Sequence, residues 1–271
     1  MNAFYFQRKR AFTLLEILVS ISVLTIILLL FTQIIGVVSE TWRAGVARAD
    51  NFAQARVVLG LIERDVQAMV LRPDLPAFVD ENGKTACAFY TRYPGVGPGR
   101  RLSLISYELT GAPAQPKLQR GDYGFQFSNA TGPAGPRYGD VAKLSDLDNT
   151  QRQPLVEAVL AFQIQFIRVD GQLATTYKYN AADPLAGDNT SAVIVSMVVL
   201  DSGAYGLAQQ SGALPSVAGT FNGALPAGET YAQHWGEIIG SGNLPAGIPK
   251  PVSRGLRAFE RRILLPQSTV R

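Results

Sequence analysis

The sequence has few of the residues on which enzymes and metal sites depend. It contains one histidine, His234, and one cysteine, Cys87, among 271 residues. Without a G-x-S-x-G elbow, an H-E-x-x-H helix or a Cys/His cluster, it lacks the parts of hydrolase and zinc sites. We expect Cys87, which excludes an internal disulfide, to be a buried strand residue, and His234 to be a surface or half-buried polar residue. The sequence predicts a non-enzymatic protein without a cofactor.

Two short stretches are candidate ligand sites. The glycines of Gly95–Gly99 lack the G-K-[ST] sequence and the following helix of a phosphate loop, so a hairpin turn is favoured. Asp146 and Asp148 could supply oxygen ligands to calcium. Because no glycine turn or distal bidentate glutamate accompanies them, we favour a solvated loop, with calcium as the alternative.

Positive charge is only slightly in excess and is concentrated at one end. The net charge is +4, and Arg8, Lys9 and Arg10 contribute three of those charges. Without them the chain has 22 basic and 21 acidic residues. The composition therefore predicts no nucleic-acid partner.

An uncharged apolar run follows these basic residues. The 23 residues of Ile17–Ser39 lie between Glu16 and Glu40 without a charge, and as a helix they span about 35 Å, enough to cross a bilayer. The run is too long for a secretory signal peptide, and no A-x-A cleavage site follows it. The preceding basic residues predict a cytoplasmic N-terminus, with the remainder of the chain across the membrane.

Glu16 is unexpected in a simple anchor, because an acidic side chain costs about 2.5–3.5 kcal/mol at the bilayer centre and less near an end. It ends the stretch Ala11-Phe12-Thr13-Leu14-Leu15-Glu16, which follows the basic leader. This combination resembles the type III signal of the type IV pilin and pseudopilin superfamily. The family usually has glycine before its cleavage point, where this sequence has Ala11.

The resemblance implies how the N-terminus is processed. A prepilin peptidase would cut between Ala11 and Phe12 and methylate the new amine of Phe12, which makes Glu16 the fifth mature residue. In a bundle of such helices, Glu16 could pair with the Phe12 amine of a neighbouring subunit and set the register of assembly. The alternative is an interfacial carboxylate near the lipid headgroups.

The chain is predicted to continue as helix beyond the membrane. No proline occurs from Phe12 to Arg72, and Pro73 ends the pattern, so we expect one helix of about 60 residues. We predict four regions: a leader (1–11), a membrane or filament-core half-helix (12–39), an amphipathic half-helix (40–72) and a head (73–271). A partner helix is the alternative to packing on the head. The expected apolar stripe comprises Trp42, Val46, Ala49, Ala53, Leu59, Ile62, Val66 and Met69.

The head is predicted to be an antiparallel β-sheet, which with the helix gives an α+β fold. Residues 202–253 are rich in Gly, Ala, Pro and Ser, and we expect a long, loosely packed loop with a short helix around Glu229 to Ile239. A contact loop that exposes Tyr231 and Trp235 is the alternative. The predicted strands are Ala86–Thr91, Leu102–Leu109, Leu155–Ile167, Ala192–Leu200 and Leu256–Leu265.

Several strings, one late in the helix and the others in the head, narrow the resemblance to J-type minor pseudopilins of type II secretion systems. W-type minor pilins of type IV pili share much of the layout. The strings are Leu61–Gln67, Leu104–Leu109, Leu118–Arg120, Val159–Ile164, Val193–Leu200 and Phe259–Pro266. The resemblance implies an inner-membrane protein with a periplasmic head that enters a filament and helps to initiate its assembly at or near the tip. The implied partners are other minor and major pseudopilins or pilins, the prepilin peptidase and the inner-membrane assembly platform.

Overall fold

The structure, a computed structural model, describes residues 13–71, 78–79, 86–93, 102–111, 114–125, 152–178, 183 and 186–265. The chain divides into two compact units, Met1–Val46 and Ala47–Arg271. The described residues combine a long N-terminal helix with antiparallel sheets, so the α+β prediction is confirmed.

Helix α1 spans Leu14–Gln67, 54 residues. It ends five residues before the predicted end at Arg72, so that boundary was wrong. After Gln67 the backbone turns and pairs with a strand: Val70 N–H donates to the Tyr90 carbonyl across 2.8 Å, and Arg92 N–H donates to the Ala68 carbonyl across 2.9 Å. Sheet-type hydrogen bonds thus replace the last helical turn.

The strands of the described chain form two antiparallel sheets rather than the one predicted. A five-stranded sheet has the order β1-β2-β3-β4-β5, and a four-stranded sheet has the order β7-β6-β8-β9. The strands are β1 Phe78–Val79, β2 Ala86–Thr91, β3 Leu102–Thr110, β4 Lys117–Phe125, β5 Arg152–Glu157, β6 Val159–Arg168, β7 Leu173–Ala174, β8 Thr190–Leu200 and β9 Leu256–Leu264.

The predicted strand Leu155–Ile167 is divided between the two sheets. Ala158 separates β5 from β6 and has a φ of 62°, in the left-handed region that interrupts an extended strand. Its N–H donates to the Pro116 carbonyl, and its carbonyl accepts from Leu200 N–H. The chain changes sheets at this one residue, a feature that apolar alternation does not reveal.

One core lies between the last turns of α1 and both sheets. It includes Ile62 from the helix, Ile105 and Tyr107 from β3, and Val195 from β8. The predicted stripe is correct for Leu59, Ile62, Val66 and Met69, which are buried, and wrong for its first four members, Trp42, Val46, Ala49 and Ala53, which are exposed. Among the described side chains of α1 that precede Leu59, the buried ones are Asn51, Ala55 and Val58.

Residues 202–253 are not the loosely packed loop that we predicted. They contain α2 Ser202–Gln210, α3 Leu214–Thr220 and α4 Tyr231–Ser241, and the start of α5 Lys250–Gly255. Trp235 is 1% exposed and packs with Phe221 and Leu200 in a second core. The expected short helix is α4, but Trp235 is a core residue and cannot serve as an exposed contact.

Candidate functional site

The N-terminal candidate site falls only partly within the described residues. Arg8, Lys9, Arg10, Ala11 and Phe12 lie outside them, as do the calcium candidates Asp146 and Asp148. The structure therefore describes this site from residue 13 onward.

Thr13 and Glu16 form the start of α1. Glu16 N–H donates to the Thr13 carbonyl across 3.1 Å and to Thr13 Oγ1 across 3.3 Å, which is the pattern of a side-chain N-cap. Glu16 lies in the first turn, where the helix dipole favours a negative charge, and its side chain is exposed. The carboxylate is therefore available to a partner group.

The helix segment Leu14–Arg43 is long and apolar enough to cross a membrane, and its side chains are exposed. Four hydroxyl residues in its apolar part, Ser20, Ser22, Thr25 and Thr32, donate hydrogen bonds to the backbone carbonyls four residues earlier across 2.6–2.8 Å. Because these hydroxyls are satisfied within the helix, the surface fits hydrocarbon or an apolar helix bundle.

A buried charged network anchors α1 in the head. Asp65 has no exposed side-chain surface, and its Oδ2 accepts hydrogen bonds from Tyr107 Oη across 2.6 Å and from Arg120 Nε across 2.7 Å. Arg120 also lies 3.5 Å from an Asp122 oxygen. The network connects the helix to β3 and β4, while its geometry offers no nucleophile poised beside a base.

Burial dominates the electrostatics of this network. Burial, together with the negative charge of Asp65, raises the pKa of the Tyr107 phenol far above its usual range, so Tyr107 remains a donor. Burial also raises the pKa of the Asp122 carboxyl above its usual value, and the Arg120 guanidinium opposes that shift. Asp65 is not part of the apolar stripe expected from the sequence, and its burial was not predicted. Its spacing of three residues after the buried Ile62 was the signal that could have revealed it.

Comparison of the sequence with known proteins identifies a family motif and a relative. Residues 6–32 match the model of the prokaryotic N-terminal methylation motif. The chain is also 27% identical to the pilin-like protein PilA3 of Thermus thermophilus over 184 residues, which covers 62% of this chain and 71% of that protein. The motif and this relative support the type IV pilin and pseudopilin superfamily. A type IV-like pilin structure from Thermus thermophilus is 14% identical, with a TM-score of 0.41, and covers 79% of this pilin-like chain and 96% of that chain.

The head of the pilin-like chain also carries a cluster that the sequence analysis missed. Glu229, His234 and Glu237 place one ligand atom each within 4.8 Å of one another. The Glu229 and His234 side chains are half-buried, and Glu229 Oε2 lies 3.7 Å from His234 Nδ1. A lone histidine gave no reason to expect a metal, but the i, i+3 spacing of His234 and Glu237 on a helix was an available signal.

Proposed function

We propose that this pilin-like chain is a minor pseudopilin, a structural subunit at or near the tip of a type II secretion pseudopilus that helps to initiate filament assembly. A minor pilin of a type IV pilus, acting in tip formation, adhesion or DNA uptake, is the second candidate. The match to a pilin-like protein favours either role. The J-type strings in the head favour the first.

One combination carries the proposal: the methylation motif together with an exposed apolar helix that has an exposed acid, Glu16, in its first turn. Leu14–Arg43 has no core of its own to pack on within the described part of its unit. Lipid before assembly, and neighbouring helices after it, would cover this surface.

The same proposal assigns the topology and the processing. Arg8, Lys9 and Arg10 would hold the N-terminus in the cytoplasm, with the head in the periplasm. Prepilin peptidase would cut between Ala11 and Phe12 and methylate Phe12. The amine so created would pair with Glu16 of a neighbouring subunit, which offsets the cost of burying both charges.

Glu16→Gln tests the assembly role. This variant should be cleaved normally and enter filaments at least about tenfold less than the wild type, because losing about 1.4 kcal/mol of pairing is a factor of ten. Ser20→Ala, in the same exposed helix, is the control and should assemble normally. Immunoblots of sheared filaments measure incorporation. Wild-type incorporation of Glu16→Gln would refute the role of this carboxylate.

Gene deletion and pull-down distinguish a role in a secretion pseudopilus from a role in a type IV pilus. A deletion strain that loses protein secretion but keeps its pili supports the pseudopilin. Loss of pili with normal secretion supports the pilus subunit. A complex between this chain and sister minor pseudopilins in detergent supports the tip position, and failure to form one contradicts it.

A further inference from the structure

The Glu229, His234 and Glu237 cluster is built around the start of α4. Thr230 caps the helix: its hydroxyl accepts from Gln233 N–H, and the Gln233 side chain accepts from Thr230 N–H. Glu229 therefore stands just before the cap. His234 and Glu237 are three residues apart, a spacing that places both side chains on one face of the helix.

A buried amide fixes the backbone on both sides of the cap. Gln165 of β6 is 2% exposed; its Nε2 donates to the Glu229 carbonyl across 3.3 Å, and its Oε1 accepts from Tyr231 N–H across 3.0 Å. Thr230 Oγ1 also donates to Glu260 Oε2 of β9 across 2.5 Å. These bonds tie the segment that carries Glu229 to two strands, so its position does not depend on a free loop.

One carboxylate oxygen of the cluster is buried without a hydrogen bond. Glu229 Oε2 is inaccessible to solvent and has no hydrogen-bond partner among the described residues, since His234 Nδ1 at 3.7 Å is too distant. An anionic oxygen in that position is costly unless a donor or a cation reaches it. A cation bound between this carboxylate and His234 would supply the interaction that the oxygen lacks.

We propose that Glu229, His234 and Glu237 bind one divalent transition-metal ion, with Zn²⁺ as the best match. Zn²⁺ accepts both imidazole nitrogen and carboxylate oxygen as ligands, and three protein ligands would leave the fourth position to water. The ligand atoms of a tetrahedral zinc site lie about 3.4 Å apart, so modest side-chain rotations would close the present separations of up to 4.8 Å. Ca²⁺ and Mg²⁺ are disfavoured because they prefer oxygen ligands.

The ion would stabilise the end of the head that contains α4. It would connect Glu229, the residue before the N-cap, to His234 and Glu237 within the helix, adding a cross-link over the second core. Because the metal binds only the folded arrangement, saturating Zn²⁺ should raise the unfolding temperature. Protons compete for the same ligands, so the affinity should fall in acid.

The test is a zinc titration of the full chain, without a histidine tag, in detergent after metal removal. Calorimetry should give one Zn²⁺ per chain. His234 is the chain's only histidine, so its imidazole NMR signals need no assignment and should shift on binding. Burial raises the pKa of Cys87 to about 12, which keeps that thiol protonated and out of competition.

Variants decide which residues hold the ion. His234→Gln and Glu237→Gln should each weaken zinc binding by at least about tenfold. The control Glu157→Gln removes the same charge from an exposed side chain of β5, and this variant should bind zinc as the wild type does. Trp235 fluorescence in a Trp42→Phe background checks that each variant is folded. The proposal is overturned if the wild type shows no saturable zinc binding or no imidazole shift, or if either cluster variant binds normally.

Discussion

The phenol of Tyr107 donates a 2.6 Å hydrogen bond to the carboxylate of Asp65, and this bond joins strand β3 to helix α1 inside the core. The last turns of α1 are therefore held to the sheets by polar bonds as well as by packing. Arg120 of β4 donates to the same oxygen across 2.7 Å. The attachment thus uses two adjacent strands of one sheet.

Breaking this attachment should destabilise the head. Tyr107→Phe removes one donor to a buried carboxylate and should lower the free energy of unfolding by about 1–3 kcal/mol. Asp65→Ala removes the nearest partner of Arg120, leaving only the Asp122 oxygen at 3.5 Å, and should cost about 3–5 kcal/mol. Urea unfolding of the full chain in detergent, followed by Trp235 fluorescence in a Trp42→Phe background, measures both. Tyr93→Phe, at an exposed position, is the control; equal effects of Tyr93→Phe and Tyr107→Phe would contradict the network's role.

Close backbone packing at Gly255 predicts a second effect. A Cβ there would lie 2.2 Å from Asp201 Oδ2 and 2.6 Å from the Ala204 Cβ. Asp201 caps α2 by accepting from Ala204 N–H across 2.8 Å. Gly255→Ala should therefore displace the cap and cost about 1–3 kcal/mol by the same urea assay.

Gly219→Ala is the matched control for this substitution. Gly219 lies in helix α3 with open space around its missing Cβ. Alanine there should leave stability unchanged or raise it by up to about 1 kcal/mol, because alanine favours the helix. A Gly255→Ala variant as stable as this control would show that the close contact relaxes without cost.

The buried thiol of Cys87 predicts both low reactivity and a pH effect. Burial raises its pKa from 9.0 to about 12. At pH 8 the native chain should resist thiol reagents, which act on the thiolate, while the urea-unfolded chain should react. Between pH 9 and 12 the unfolded chain loses the proton first, so stability should fall as the pH rises.

The substitution Cys87→Ser isolates the pH effect of this thiol. Serine does not ionise in that range, so the stability of the variant should fall less steeply with pH than that of the wild type. The comparison concerns the slope of unfolding free energy against pH, since the substitution also changes packing. Identical slopes, or rapid labelling of the native wild type at pH 8, would show that the thiol is accessible.

The predicted elements match the observed ones where one strong local pattern determines the structure. The apolar run indicated α1, and alternating residues located β2 at Ala86–Thr91 with the observed bounds. β8 and β9 were also found nearly as observed. Cys87 is buried in its strand, as predicted.

The misses have long-range causes. Asp65 is polar, and only its partners Tyr107 and Arg120, distant in sequence, make its burial tolerable. Residues 202–253 are rich in glycine and proline, yet their helices pack on the second sheet, and the composition of the segment does not reveal this packing. The metal cluster depends on Glu229 being held beside the helix by Gln165, a contact that no local pattern contains.

The central claim is that this chain is processed as a prepilin-like subunit. Mass spectrometry of the N-terminal peptide, taken from the chain in its native membrane, tests it most directly. The account predicts a peptide that begins at Phe12 and carries one methyl group on its amine. A peptide that retains Met1, or one that begins far from Ala11, would contradict it.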